Sequence, residues 1–321
     1  MQPLIEVEHL TKRYAGVIAV DDVSFKVGKG EIVGFLGPNG AGKSTTMRIL
    51  SGFLPATTGR VSVAGFDVFR ESIEARRRIG YMPENNPLYT EKRVGEYLKY
   101  RAALKGVSGK KKRASVDRVL ELCGLTDVQR KLIGHLSKGF RQRVGIADSL
   151  VHDPELVVLD EPTIGLDPHQ IRQVREVIRD LGKNHTVLIS THILPEVEMT
   201  CSRVLIINRG KIIVADSVED LRKRLKGGGG VRAEIRGDRN EIERKLRELS
   251  GVEAVRLTAG TDNYFVCQLE TKGDGDVRAA IYQKAVENRW ALRELAHERE
   301  TLEDIFVKLT AAPRVEEEEE E

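Results

Sequence analysis

The sequence predicts an α/β protein in two parts, and three observations carry that prediction. Gly37 to Thr45 read Gly-Pro-Asn-Gly-Ala-Gly-Lys-Ser-Thr, placed between a strand-like run, Glu31 to Leu36, and a short helical stretch, Ser44 to Ser51, closed by Gly52. Leu156 to Leu159 and Val187 to Ile189 are apolar throughout, as strands buried on both faces of a parallel sheet are. Beyond Gly227-Gly-Gly-Gly230 the pattern runs strand, helix, strand, strand, helix, strand, the βαββαβ order of a small ferredoxin-like α+β domain.

Taken in order, residues 4 to 8, Val23 to Val27 and Arg60 to Ala64 alternate as strands and suggest an antiparallel β layer beside the parallel core. The run Gly37 to Thr45 matches G-x-x-x-x-G-K-[ST], which chance supplies to a chain this long on the order of one time in a hundred. Gly40 and Gly42 let such a loop fold tightly, so that successive backbone N–H groups aim at phosphate oxygens. Lys43 then belongs on the β- and γ-phosphates and the Ser44 hydroxyl on Mg²⁺. An ordinary glycine turn needs neither the lysine nor the hydroxyl, so the chain is expected to bind a nucleoside triphosphate.

Residues from about 93 to 150 carry helical patterns, including Val94 to Leu104 and Ser115 to Leu122, and predict a helical subdomain. Within it Ser137 is a good N-cap for a helix whose apolar face is Phe140, Val144, Ala147 and Val151, and the positive end of that helix suits an anion. Two acids, Asp160 and Glu161, follow the buried strand at Leu156, where α/β folds gather ligand groups. Asp160 is suited to hold Mg²⁺, and Glu161 to take a proton from the water attacking a γ-phosphate. Ser190-Thr191-His192 ends the next buried strand, where His192 can contact the γ-phosphate and place that water. Val204 to Ile207 and Ile212 to Val214 read as a hairpin across Asn208-Arg-Gly-Lys211.

The boundaries expected are a first domain over 1–226, a glycine linker over 227–230, an α+β regulatory or accessory domain over 231–312 and an acidic tail over 313–321. A last helix is expected from a capping box at Thr301-Leu-Glu-Asp304. The second domain shows no catalytic constellation.

With 321 residues and 40% hydrophobic content, two ordinary cores are affordable. The formal charge of +3 includes six terminal glutamates, so the body is more basic than the total suggests. Cys123, Cys201 and Cys267 are widely spaced, as reduced thiols of a cytosolic protein would be. No signal peptide is visible after Met1. Apolar runs such as Val204 to Ile207 fall far short of the roughly 20 residues that span a bilayer. Any action on a membrane is therefore expected from outside the lipid, through a partner.

Jointly and in order, these motifs resemble the nucleotide-binding subunit of ATP-binding cassette (ABC) transporters over residues 4 to about 220. The resemblance implies a P-loop ATPase cassette with ATP and Mg²⁺ as cofactors. Gly37, Pro38, Asn39, Gly40, Ala41, Gly42, Lys43, Ser44 and Thr45 match Walker A, and Leu156 to Glu161 match Walker B. Leu136-Ser137-Lys138-Gly139-Phe140 matches the family signature, Gly165-Leu-Asp167-Pro168 the D-loop, and His192 the switch histidine. Tyr14 stands where the family stacks a ring on adenine. The Gly80 to Tyr89 stretch and Thr301 to Phe306 look like ABC-2-type exporter ATPases, especially the gliding-motility-associated branch.

The family implies a head-to-tail homodimer in which Ser137, Lys138, Gly139 and Asp167 of one chain meet the nucleotide held by Lys43 of the other. It also implies a transmembrane permease partner, which would keep the subunit cytoplasmic and peripheral on the inner face of the membrane. Two residues depart from the family pattern: Glu84 replaces the usual glutamine of the Q-loop, and Lys138 replaces a glycine of the signature.

The alternative is a soluble cassette ATPase acting on nucleic acid or the ribosome. Those types carry two cassettes or a long coiled coil between the Walker motifs, and this chain has one cassette with Lys43 and Asp160 too close for such an insertion. The run Lys110 to Arg113 reads as a solvated loop, and no nucleic-acid partner is expected. No Asn-Lys-x-Asp motif supports a GTPase.

Overall fold

The structure, a computed structural model, describes residues 3–225, 229–271 and 276–299. The chain divides into two compact units, Met1–Val218 and Glu219–Glu321. The first opens with strands β1 (Ile5–Tyr14), β2 (Val17–Val27) and β3 (Ile32–Leu36), then helix α1 (Lys43–Leu50), strands β4 (Thr58–Val63) and β5 (Phe66–Asp67), helix α2 (Ser72–Arg77) and strand β6 (Ile79–Met82). Three helices follow: α3 (Val94–Leu104), α4 (Gly109–Leu122) and α5 (Lys138–Leu150). The unit ends with β7 (Leu156–Asp160), α6 (Pro168–Leu181), β8 (Thr186–Thr191), α7 (Leu194–Thr200), β9 (Arg203–Asn208) and β10 (Lys211–Ser217).

Two sheets result. An antiparallel sheet has the order β2-β1-β4-β5, and a larger one the order β10-β9-β3-β8-β7-β6, parallel except for the β9–β10 hairpin. One core joins the two sheets: Ile5, Val7, Val23 and Phe25 from the first pack with Val33, Phe35, Leu205 and Ile207 from the second. Strand β1 runs past the alternating residues 4 to 8 because bulges around His9 re-aim its side chains and let pairing continue to Tyr14.

Several elements went unread in the sequence, β6 and α6 among them. Strand β6 is only four residues long and contains Gly80, which weakens a strand signal. The glycine is required by packing, since a Cβ there would lie 2.1 Å from the Ser149 carbonyl of α5. Helix α6 lies behind the Gly165-Leu-Asp167-Pro168 motif. Asp167 caps it, Pro168 starts it, and Val174, Val177, Ile178 and Leu181 form its buried face.

At the far end of α5, Asp148 is buried among cations. Tyr97 donates its hydroxyl to Asp148 Oδ2 at 3.1 Å, Arg101 Nε meets Oδ1 at 2.9 Å and Lys105 Nζ meets Oδ1 at 3.2 Å. Burial alone would raise this carboxyl's pKa, but Lys105 and Arg101 more than offset it and hold the group below the usual aspartate range.

The second unit begins with helix α8 (Val218–Leu225), and then runs β11 (Gly229–Arg236), α9 (Arg239–Arg247), β12 (Val252–Ala259), β13 (Phe265–Thr271), α10 (Arg278–Glu287) and β14 (Ala291–Arg299). Its sheet has the order β12-β13-β11-β14 with every described pairing antiparallel, which is the arrangement a split βαβ pattern produces. Val231, Ala233 and Ile235 alternate inward from β11 and pack with Ile242 and Leu246 of α9 and Ile281 and Ala285 of α10. Gly227 and Gly228, the capping box at Thr301 and the 313–321 tail lie outside the described residues. Among the described residues no helix is long and apolar enough to cross a membrane.

Candidate functional site

The loop Gly37–Gly42 joins the carboxyl end of β3 to α1. Gly42 adopts φ 105°, and a Cβ on it would meet the Ala19 carbonyl at 2.4 Å. Only glycine satisfies both conditions. Gly37 is equally confined, 2.3 Å from the Ile207 carbonyl by the same measure. The N–H groups of a helix's first turn have no intrahelical acceptor. Those of α1 open beside a cleft of about 750 Å³ lined by Asn39, Gly40, Gly42, Lys43, Ser44 and Thr45. The Lys43 ammonium is buried and accepted by the Gly37 carbonyl at 2.8 Å and the Pro38 carbonyl at 3.2 Å. Ala41 is tied on both sides, its N–H to Pro38 and its carbonyl to Gly210. The result is a rigid cradle of donors around one cation.

The acids arrive on the neighbouring strands. Asp160 ends β7 and is fully buried. Its Oδ1 accepts from the Ser44 hydroxyl at 3.1 Å and from the Ser190 hydroxyl, which the parallel register sets directly opposite on β8. Its Oδ2 is buried with no partner. Burial pushes the Asp160 carboxyl above the usual range, Glu84 and Glu161 push the same way, and the two serine hydroxyls offset only part of it.

Glu161, the next residue, takes φ 48°, a left-handed conformation uncommon outside glycine and typical of strained functional positions. Its N–H donates to Ser190 Oγ at 3.0 Å. Its carboxylate lies between Lys43, 3.2 Å from Oε1, and His192, whose Nδ1 is 3.0 Å from Oε2. His192 leaves the end of β8 half-exposed, while Glu161 is 4% exposed.

These groups fit a divalent cation. Asp160 offers a buried, unpartnered carboxylate oxygen, and Ser44 adds a hydroxyl beside it. Among the described residues no three histidine, cysteine or acidic side chains converge as metal ligands. Mg²⁺ takes one or two protein oxygens and completes its shell with phosphates and water.

Glu84 lines the cleft beside α1 and also a second one, of about 1130 Å³, shared with Asn86, Leu88, Lys138, Arg141 and Gln142. Ser137 caps α5, accepting from the Phe140 N–H. Gly139 is buried against Gln170 of α6, and Lys138 reaches over Gly165. Asp167 Oδ1 accepts from both the His169 and Gln170 N–H groups at 2.9 Å.

The chain thus brings Gly37 to Thr45, Glu84, Asp160, Glu161 and His192 together at one end of the larger sheet. Ser137, Lys138, Gly139 and Asp167 form a separate group where α5 and α6 begin. Tyr14 is 44% exposed at the tip of β1 beneath Lys12 and does not line the cleft. Sequence reasoning assigned no role to Ser190, Ala19 or Ile164. Ser190 comes level with Asp160 only through the parallel register of β7 and β8. Ala19 and Ile164 reach the cleft through the fold alone.

Comparison with known proteins agrees with this geometry. The family model described as ABC transporter matches residues 20–164. The bacitracin transport ATP-binding protein BcrA of Bacillus licheniformis is 35% identical over 319 residues, 96% of this chain and 98% of that protein. The linearmycin resistance ATP-binding protein LnrL of Bacillus subtilis is 32% identical over 316 residues, again 96% and 98%. A solved structure of an ATP-binding subunit of an ABC transporter superposes with a TM-score of 0.62 at 32% identity, covering 69% of this chain and 92% of that one.

Proposed function

The chain belongs to the ATP-binding subunits of ABC transporters, and from that membership we propose that it hydrolyses ATP between two head-to-tail copies of itself to drive a separate transmembrane exporter. The observation that carries the proposal is the Glu161 carboxylate, buried and held between Lys43 and His192 beside the unpartnered oxygen of Asp160.

In this reading Lys43 and the first-turn N–H groups of α1 bind the β- and γ-phosphates, drawing on the positive end of the helix. Glu161 takes the proton of the attacking water, and His192, bonded to it, fixes that water's direction. Ser44 and Asp160 would hold Mg²⁺, which when bound supplies positive charge to the phosphates. Tyr14, exposed at the tip of β1, would pack on the adenine.

One chain supplies one phosphate cradle and one serine-capped helix, so a single copy holds half of each site. Ser137, Lys138, Gly139 and Asp167 would complete the site of the second copy. The cleft shared by Glu84, Asn86, Leu88 and Arg141 would receive the permease, placing the subunit on the inner face of the membrane. An outward direction of transport is supported by the names of the relatives, one for bacitracin transport and one for linearmycin resistance.

The test uses the burial of all three native cysteines, which leaves introduced thiols as the reactive ones. Asn39→Cys and Ser137→Cys, combined with Glu161→Gln to slow turnover, should crosslink two chains when ATP is present and not otherwise. A protein that binds ATP but never crosslinks overturns the head-to-tail arrangement. Purification from membranes should bring a transmembrane protein with it.

A further inference from the structure

His192 is flanked by a residue whose bonds the proposed reaction does not use. Thr191 is 1% exposed at the end of β8. Its carbonyl accepts from the Gly37 N–H at 3.3 Å, and its hydroxyl accepts from the Ile193 N–H at 3.1 Å. The backbone before and after the histidine is therefore tied to this single residue. The hydroxyl in turn donates to Glu196 Oε2 at 2.9 Å.

Glu196 stands in the first turn of α7 and is 7% exposed. No cation pairs with it among the described ion pairs, and its second oxygen, Oε1, is buried without a partner. Glu196 borders a narrow pocket whose walls also include Pro162, Thr163, Arg175, Ile178 and Val197. The Thr163 hydroxyl in the same pocket is also buried and unpartnered. A buried carboxylate with no ion pair is costly to desolvate even with Arg175 on the pocket wall, and a well-packed apolar residue would be the more stable choice. Its position suits a different purpose, since the pocket lies where the segment behind Glu161 meets the segment carrying His192.

We propose that Glu196 is a positioning residue that acts through Thr191 to hold His192 in bonding distance of Glu161. The inference rests on the reading of Glu161 and His192 as the hydrolytic pair. With Glu196 in place, the Thr191 hydroxyl has one orientation: its proton points to the carboxylate and its lone pair to the Ile193 N–H. Without it, the hydroxyl rotates, the Ile193 N–H loses a fixed acceptor and the imidazole is free to drift. A misplacement of about 1 Å in a group that positions the reactants is enough to slow an enzyme.

Steady-state ATP hydrolysis and nucleotide binding, measured on the full chain, test the idea. Glu196→Ala and Thr191→Val should each lower kcat roughly tenfold, the rate equivalent of one lost hydrogen bond. KM and ATP affinity should stay within about twofold, the sign of an interaction that serves the transition state. Glu196→Gln retains an acceptor and Thr191→Ser retains the hydroxyl, so both should recover most of the turnover. In a His192→Ala background, Glu196→Ala and Thr191→Val should cost nothing further.

Equal losses with and without His192 overturn the positioning role and leave the catalytic pair standing. A Glu196→Gln variant as slow as Glu196→Ala overturns it too. Unchanged turnover in His192→Ala alone removes the pair itself, and the role of Glu196 with it. Should Glu196→Ala fail to fold, the two Thr191 variants make the same comparison.

Discussion

Asp148 and Asp160 are both aspartates buried in the first unit, 7% and 0% exposed, and they are treated in opposite ways. Asp148, at the end of α5, meets Arg101, Lys105 and the Tyr97 hydroxyl, and its pKa is lowered. Asp160, at the end of β7, meets two serine hydroxyls, keeps one oxygen unpartnered, and has its pKa raised. One carboxylate has its counter-charge built into the fold. The other has no cation paired with it among the described ion pairs. The pair teaches that burial of an acid says nothing about its role until its partners are counted.

If this contrast is right, substitutions around the open acid should damage turnover, and those at the closed one stability. The largest effect is expected from Glu161→Gln, which should cut ATP hydrolysis by roughly 10²–10⁴ while nucleotide binding persists. Unchanged hydrolysis would remove Glu161 from the site and break the contrast at its functional end. Next, Asp148→Ala leaves Arg101 and Lys105 facing each other without their anion and should destabilise the chain by about 3–5 kcal/mol. Denaturant unfolding reads this directly, and an unaltered midpoint would show that Asp148 is not a structural ion.

Asp160→Asn should go the other way, with a gain of about 0.5–2 kcal/mol in stability and loss of Mg²⁺-dependent turnover. A variant that is both less stable and inactive would erase the distinction. The smallest effect is in pH dependence. Asp148 has its folded pKa lowered, so its stabilisation is complete above the unfolded pKa and is lost as pH falls through the folded value. Asp160 has its folded pKa raised, so the cost of its charge is present above that value and is relieved as pH falls through it toward the unfolded one. Unfolding midpoints should therefore lose a rise as pH falls toward 3.8 in Asp160→Asn, and lose a fall below pH 3.8 in Asp148→Asn.

What was legible in the sequence follows the same division. The phosphate loop, the strand-end acids and the βαββαβ order each lie in short contiguous stretches with chemistry attached, and they could be read in place. Ser190 and Glu196 were not read, because serine and glutamate are common and their meaning comes from a parallel register and a helix turn that only the fold supplies. The Asp148 cluster joins residues 47 positions apart in sequence. Strand β6 hid behind a glycine whose reason is the helix lying on it.

That last contact has a mechanical consequence. Helix α5 rests its final turn on Gly80 with no side chain between, and the neighbouring Asp148 is anchored to α3. Its thirteen residues extend about 20 Å to Lys138, with Ser137 exposed at the tip. Gly139, buried against Gln170 of α6, holds the other end, so the helix is seated at both ends. Any side chain larger than hydrogen at position 80 would displace the Ser149 seat and force the helix off the direction that both ends now fix.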